Sequence, residues 1–136
     1  MIDLATEFGS YVDKRLRNEL VIWLTTVTPG GEPQPNPVWF YWDGEAITIY
    51  SQPESYRIRN IRHNSRVTLN LQGVGVMGED VVIIHGEAKL KHNYPALHPE
   101  YRRKYDPYIL KMDMTPAQMT ETYSVEITIR PAKVRT

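Results

Sequence analysis

The apolar positions change period several times along the chain, and each change marks an element. Leu4, Phe8, Tyr11, Val12 and Leu16 recur at three-to-four spacing, which predicts an amphipathic helix over about 3–19. "LVIWLTTVT" (20–28) is apolar and β-branched and is broken by "PGGEP" (29–33), predicting a strand that runs into a turn. "PVWFYW" (37–42) predicts a second strand, Asp43-Gly44 a hairpin, and "AITIYS" (46–51) a third strand. Ser51 and Glu54 then fit a capping box, Pro53 suits a first helical turn, and Ile58 and Ile61 form one stripe. A short helix over about 53–63 follows. "RVTLNLQ" (66–72) alternates as a strand, "GVGVMGED" (73–80) is a Gly-rich connection, and "VVIIHGEAKLKH" (81–92) is a long strand. Helical segments over 98–112 and 115–122 come next, the second with Thr115-Pro116 as cap and first turn. "YSVEITIRPAKVR" (123–135) closes as a strand alternating Val125, Ile127 and Ile129.

Six β-segments, most of them joined by turns too short for a crossover, predict a six-stranded antiparallel β-barrel decorated with helices. No repeat, low-complexity tract or linker divides residues 1–136, so a single domain is expected. A chain of this length buries roughly two-thirds of its unfolded surface, enough for one good core.

Composition narrows the function classes. Sixteen Lys+Arg balance 16 Asp+Glu, which removes bulk attraction to nucleic acid or anionic membrane. The absence of cysteine excludes a disulfide scaffold, a thiol nucleophile and cysteine-ligated metal. The N-terminal segment carries early acids and no apolar signal core, and no apolar run approaches the ~20 residues of a membrane span. A soluble cytoplasmic protein is expected. Nine Tyr and three Trp against two Phe suggest amphipathic aromatic surfaces of the kind found in pockets and interfaces.

Against that neutral background, "YSQPESYRIRNIRHNSR" (50–66) gathers Arg57, Arg59, Arg62 and Arg66, and no acid occurs between Glu54 and Glu79. At about 100° per residue, Arg57, Asn60 and Asn64 share one helix edge while Arg59, Arg62 and Arg66 fall on the opposite one. One small ligand cannot engage all four guanidinium groups. Arg57 and Asn60, behind the "SQPE" helix start, suit a phosphate cradle, since helix N–H groups and an Arg fork both favour an anion. Solvated helix charges remain the competing reading, and the stronger one for the opposite edge.

In "PQPNPVWFYWDG" (33–44), Trp39 and Tyr41 face one side and Val38, Phe40 and Trp42 the other. One aromatic face lines a groove for a flat ring, or both faces pack in core. His63, His85, His92 and His98 are scattered without ligand spacing, so no metal site is expected. His85 reads as a strand residue, with a haem ligand as its functional alternative. No phosphate-binding loop, dinucleotide fingerprint or nucleophile elbow is present, and the "GVGVMG" run has the wrong spacing for one.

Three pieces together resemble a known family: the "T-x-x-P-x-G-x-P-x-x-x-P-V-W-F" strand pair, the "Y-S-Q-P" strand end and "R-x-R-N-I-x-x-N-x-R-V". They are similar to the pyridoxamine 5′-phosphate oxidase-like split β-barrel superfamily, and within it to the deazaflavin (coenzyme F420)-dependent oxidoreductases. The resemblance implies a homodimer with the cofactor in a groove between subunits. It implies that Asn36, Pro37, Val38 and Trp39 run along the deazaflavin ring, that Ser51 and Gln52 lie near the ring–ribityl region, and that Arg57 and Asn60 contact the phosphate. Arg57 stands where the family more usually has Lys, which keeps the charge and changes its geometry. Met77 and Arg135 are suggested as contacts supplied by the second subunit, and Tyr50 or a water as proton donor. The activity implied is hydride transfer to a small electrophilic acceptor. FMN in place of F420, a haem- or flavin-binding relative, and a carrier without turnover are the alternatives; a nucleic-acid module fits poorly.

Overall fold

Thr6 starts the first helix: its hydroxyl accepts the Gly9 N–H at 2.9 Å, with Glu7 in the first turn and Arg15 and Arg17 in the last. That charge order is the one the helix dipole favours. In the computed structural model, which describes residues 2–136, this helix is α1 (Glu7–Asn18), shorter than the periodicity predicts. Val12 and Leu16 are buried, whereas Leu4, Phe8 and Tyr11 of the expected stripe are exposed.

Seven strands follow: β1 (Ile22–Val27), β2 (Pro33–Val38), β3 (Tyr41–Trp42), β4 (Ile47–Ser51), β5 (Arg66–Leu71), β6 (Val82–His92) and β7 (Val125–Arg135). Helix α2 (Tyr56–His63) lies between β4 and β5, and α3 (Pro99–Lys111) and α4 (Pro116–Thr122) lie between β6 and β7. All pairings are antiparallel, in the order β2-β1-β5-β6-β7-β4-β3, and the sheet curls into a half-barrel. No helix among the described residues is long and apolar enough to cross a membrane.

The expected count of six strands is corrected to seven. Residues 33–42 form two short strands, β2 and β3, with Trp39 and Phe40 between them. Pro33, Pro35 and Pro37 hide β2 from a pattern search, because they carry neither apolar alternation nor ladder donors. Such a strand is tolerated at a sheet edge, and β2 is an edge strand, paired through Val38↔Ile22, Asn36↔Leu24 and Gln34↔Thr26.

The start of α2 is also corrected. The Ser51/Glu54 capping box does not form: Ser55 is the N-cap, and Ser51 ends β4 opposite Val125. The Ser51 hydroxyl is buried and engaged by Ser55 Oγ at 2.9 Å and the Gln52 carbonyl at 3.2 Å. Arg66 belongs to β5, so the helical wheel does not apply to it. The Thr115 cap of α4 forms as expected, with Gln118 completing a reciprocal capping box.

The hairpin expected at Asp43-Gly44 closes with Gly44 at φ +96° and Asp43 Oδ1 accepting the Glu45 and Ala46 N–H groups, each at 2.7 Å. The long β6–β7 pair bends at a register shift between His85 and Gly86. A Cβ at Gly86 would lie 2.6 Å from the Arg130 carbonyl oxygen, so only glycine lets the strands approach there.

Two apolar clusters result. Phe40, Trp42, Ile47, Ile49, Leu69, Ile84, Ile127 and Ile129 fill the barrel, closed by Val12 and Leu16 of α1 and Ile58 and Ile61 of α2. Each such side chain contributes about 1.5–3 kcal/mol on full burial. The second cluster lies under α3 and α4: Tyr50, Tyr94, Leu97, Tyr101, Tyr105, Ile109 and Met119, with Trp39, Tyr41 and Tyr123 packed against it.

Candidate functional site

Backbone alternation around residue 40 decides where the aromatic side chains go. Phe40 and Trp42 enter the barrel, while Trp39 and Tyr41 turn to the tyrosine cluster. Both faces of the segment are therefore used. Trp39 stacks on Tyr105 with centroids 4.6 Å apart and planes 8° apart; Tyr41 stacks on His98 at 4.6 Å. The Tyr105 hydroxyl clamps this turn, accepting the Phe40 N–H at 3.0 Å and giving its one proton to the Leu20 carbonyl at 2.7 Å, while the Phe40 carbonyl, 3.1 Å away, accepts from Lys104 Nζ at 3.0 Å.

A cavity of about 200 Å³ opens where the end of β2 meets α2, α3 and α4. Pro37, Val38 and Trp39 form one wall, Tyr50 and Arg57 a second, and Tyr101, Met112, Met119 and Tyr123 the third. Among the described residues, Arg57 is its only cation. The guanidinium is half-buried, its Nη1 donates to Ser51 Oγ at 3.2 Å, and its Nε is fully buried with no acceptor. No salt bridge joins it to a carboxylate among the described residues. Burial pulls its pKa below the ordinary value, with Tyr123 acting in the opposite direction. A desolvated guanidinium without a counter-charge, set among aromatic rings, has the chemistry to take an anion or a ligand oxygen.

The eight residues expected at the site separate in space. Pro37, Val38, Trp39 and Arg57 meet at the cavity. Ser51 touches it through Arg57, whereas Gln52 is exposed beyond the strand end. Asn36 sits half-buried on the edge strand, away from the cavity lining. Asn60 is only 3% exposed, and both amide protons are spent inside the fold, on Thr26 Oγ1 at 2.9 Å and Gln34 Oε1 at 2.8 Å. It ties α2 to the β1–β2 hairpin and so holds Arg57 against Pro37–Trp39. The opposite helix edge is exposed, as the wheel indicates: Arg59 lies over the Tyr56 ring and Arg62 bonds His92 Nε2 at 3.3 Å. Met77 stands exposed in the 73–80 connection, and Arg135 bonds His85 Nε2 at 3.1 Å. Neither lines the cavity.

Sequence reasoning missed Tyr101, Met112, Met119 and Tyr123. The available signal was the spacing of Tyr101, Tyr105 and Tyr108, one helical face of aromatics within a tyrosine-rich chain. Burial drives the Tyr50 hydroxyl up to about 12, against a His98 N–H donated to it at 2.9 Å and with Glu126 beside it. Tyr94, Tyr101 and Tyr105 are pushed higher still by the same cause. These hydroxyls are neutral at physiological pH. Among the described residues, no cluster of three or more His, Cys, Asp or Glu is placed to hold a metal ion.

Comparison with known proteins agrees with this architecture. An F420 reductase structure is 25% identical, covering 90% of this chain and 94% of its own with a TM-score of 0.68. A FAD-binding protein of Mesorhizobium loti is 18% identical over 90% and 88% of the two chains with a TM-score of 0.63. General Stress Protein 26 of Bacillus anthracis str. Sterne is 15% identical over 95% and 92%, with a TM-score of 0.66. The last two show the shared fold alone. No curated protein matches the sequence. Residues 11–136, nearly the whole chain and all seven strands, match the family described as Pyridoxamine 5′-phosphate oxidase, and the chain belongs to that family.

Proposed function

We propose that this protein is an oxidoreductase that binds coenzyme F420 and transfers a hydride between it and a small electrophilic substrate. The observation that carries the reading is Arg57: a half-buried cation whose Nε has no acceptor, at the edge of an aromatic cavity beside β2. A phosphate-bearing cofactor with a flat ring satisfies both features. Its phosphate supplies the missing counter-charge, and its ring suits the wall of Pro37, Val38 and Trp39. At about 200 Å³ the cavity is smaller than the roughly 300–1,000 Å³ of sites that enclose a whole drug-sized ligand. A second copy of the chain is therefore proposed to complete the groove, as a homodimer.

When bound, the deazaflavin supplies a hydride at its C5, where a flavin has nitrogen. The chain's own residues bind and orient. Arg57 pairs with the phosphate through charge-assisted bonds worth about 1.5–3 kcal/mol each. Ser51 fixes the Arg57 fork and Asn60 fixes the helix beneath it. Trp39, Met112 and Met119 exclude water from the inner wall. Tyr50 is a poor proton source, since its hydroxyl is held between His98 N–H and Glu126 with its pKa driven up to about 12.

A second reading is supported by the likeness to a FAD-binding protein: the same cradle holding a flavin nucleotide, with or without turnover. Fluorescence titration with F420 and with FMN separates the two. Micromolar F420 binding that is lost in Arg57→Ala supports the proposal. Preferential FMN binding moves it to the second reading, and binding of neither sinks both.

A further inference from the structure

Four tyrosines of the second cluster are buried, and three have their hydroxyls committed to backbone. Tyr50 accepts from His98 N–H at 2.9 Å, Tyr94 donates to the Tyr123 carbonyl at 2.7 Å, and Tyr105 accepts the Phe40 N–H and donates to the Leu20 carbonyl. Tyr101 is buried as deeply, at 2% exposure, and its hydroxyl bonds to no described residue. Its ring is locked by an edge-on contact with Tyr50 at 4.7 Å and a tilted one with Tyr105 at 4.8 Å. This side chain lines the 200 Å³ cavity that Arg57 also lines. The hydroxyl oxygen is not itself a buried orphan but reaches open space in the cavity, and a phenylalanine would make the same ring contacts, so packing gives no reason for the hydroxyl. A ligand oxygen does.

We propose that the inner end of this cavity is a substrate subsite, in which Tyr101 donates a hydrogen bond to the carbonyl oxygen of a flat, uncharged, single-ring compound. Size caps the ring count: the whole cavity, its cofactor-facing wall included, is 200 Å³, about seven waters at their liquid volume of about 30 Å³, so its inner end takes no more than one ring with a short substituent. The flanking groups set the ring's character. Trp39 and Tyr50 offer aromatic surface, and Met112 and Met119 offer polarizable thioethers that adapt to a flat ligand. The donor side is asymmetric: Tyr101 is fixed by two ring contacts, whereas Arg57 is reserved for the cofactor phosphate. Tyr101 is thus a specificity residue, rewarding an oxygen that a hydrocarbon of the same shape lacks. Calling the bound molecule a substrate rests on the oxidoreductase reading, but its binding does not.

The test uses the full chain, without added cofactor, carrying ¹³C-methyl methionine. Acetophenone and ethylbenzene are titrated as a shape-matched pair that differs in the carbonyl oxygen. Acetophenone is expected to shift the Met112 and Met119 methyl signals while leaving exposed Met77 unmoved. Tyr101→Phe should weaken acetophenone by roughly two- to twelvefold, the equivalent of one neutral hydrogen bond, and leave ethylbenzene unchanged. It should also leave Tm unchanged or raised, because no internal bond is lost. The proposal is overturned if neither compound moves Met112 and Met119, or if Tyr101→Phe weakens both equally. It also falls if the acetophenone preference survives Tyr101→Phe but disappears in Arg57→Met. Failure to bind F420 in a separate titration would sink the cofactor reading and leave this result standing.

Discussion

Replacing Arg57 by Met should stabilise the protein and abolish its response to phosphate. The guanidinium loses hydration on folding and recovers one hydrogen bond, to Ser51 Oγ at 3.2 Å, while Nε recovers none. An unsatisfied buried donor costs about 1–3 kcal/mol, more when charged, and the one bond returns about 0.5–1.5 kcal/mol. Met keeps the apolar stem of Arg against the cavity wall and removes the charge. Ser51 is not orphaned, because Ser55 Oγ and the Gln52 carbonyl still engage it. The net change is about 1 kcal/mol in favour of the variant, or roughly 3–5 °C in Tm for a domain of this size. Scanning calorimetry with and without inorganic phosphate separates stability from binding. Wild type at a phosphate concentration ten times its Kd gains about 1.4 kcal/mol, and Arg57→Met gains nothing. A variant that melts 5 °C below wild type would refute the reasoning about burial. A variant that keeps the phosphate shift would refute the assignment of the site.

Tyr105→Phe keeps the Trp39 stack but strips the acceptor from Phe40 N–H and the donor from the Leu20 carbonyl, the Phe40 carbonyl keeping Lys104 Nζ, so urea denaturation should show a loss of about 2–4 kcal/mol. A loss under about 1 kcal/mol would mean that water replaces the clamp. Asn60→Asp preserves shape while placing a carboxylate against Thr26 Oγ1 and Gln34 Oε1, and should cost a similar amount in the same assay. An unchanged midpoint would show that the Asn60 amide serves a ligand instead of the fold. For pH dependence the sign follows from raised folded-state values: Tyr50 titrates near 12 when folded and near 10 when unfolded, and Tyr94, Tyr101 and Tyr105 shift in the same direction. Their stabilising contribution is complete below pH 10 and is lost as pH rises through the folded values. Absorbance of tyrosinate should therefore rise in two steps, exposed residues first and the cluster later, together with loss of circular dichroism. A single step with midpoint near pH 10 would contradict the burial.

Most of the sheet was legible because its strands carry their own signal. The alternation of Val67, Leu69 and Leu71, or of Val125, Ile127 and Ile129, needs no partner to be recognised, and these are the residues that the barrel buries. β2 was not legible, because its pairing is set by β1 and its prolines say only that the strand lies at an edge. The start of α2 misled for a related reason. Ser51 and Glu54 have capping-box spacing, but the β4–β7 ladder holds Ser51 at the Val125 register and makes it strand. Local pattern loses where a long-range ladder claims the same residue. Half the cavity was missed on the same principle: Tyr101 and Trp39 are 62 positions apart, and nothing near either announces the other.

The arginines show what local geometry decides and what it leaves open. Helical spacing separated Arg57 from Arg59 and Arg62 correctly, yet all three would be solvated on a bare half-barrel. Arg57 differs because α3 and α4 are inserted between β6 and β7 and bring Tyr101, Met119 and Tyr123 over its edge of the helix. Asn60 then prevents the helix from turning that edge away, by anchoring it to both strands of the β1–β2 hairpin. The desolvation of Arg57 is thus imposed by two segments distant in sequence, and among the described residues neither brings a carboxylate into a salt bridge with it. A cation so enclosed costs stability in the free protein, and the cost is offset only when an acceptor enters the cavity. That is why the stability of Arg57→Met and the phosphate response of wild type must be measured together: the site is real only if the same side chain weakens the empty fold and strengthens the occupied one.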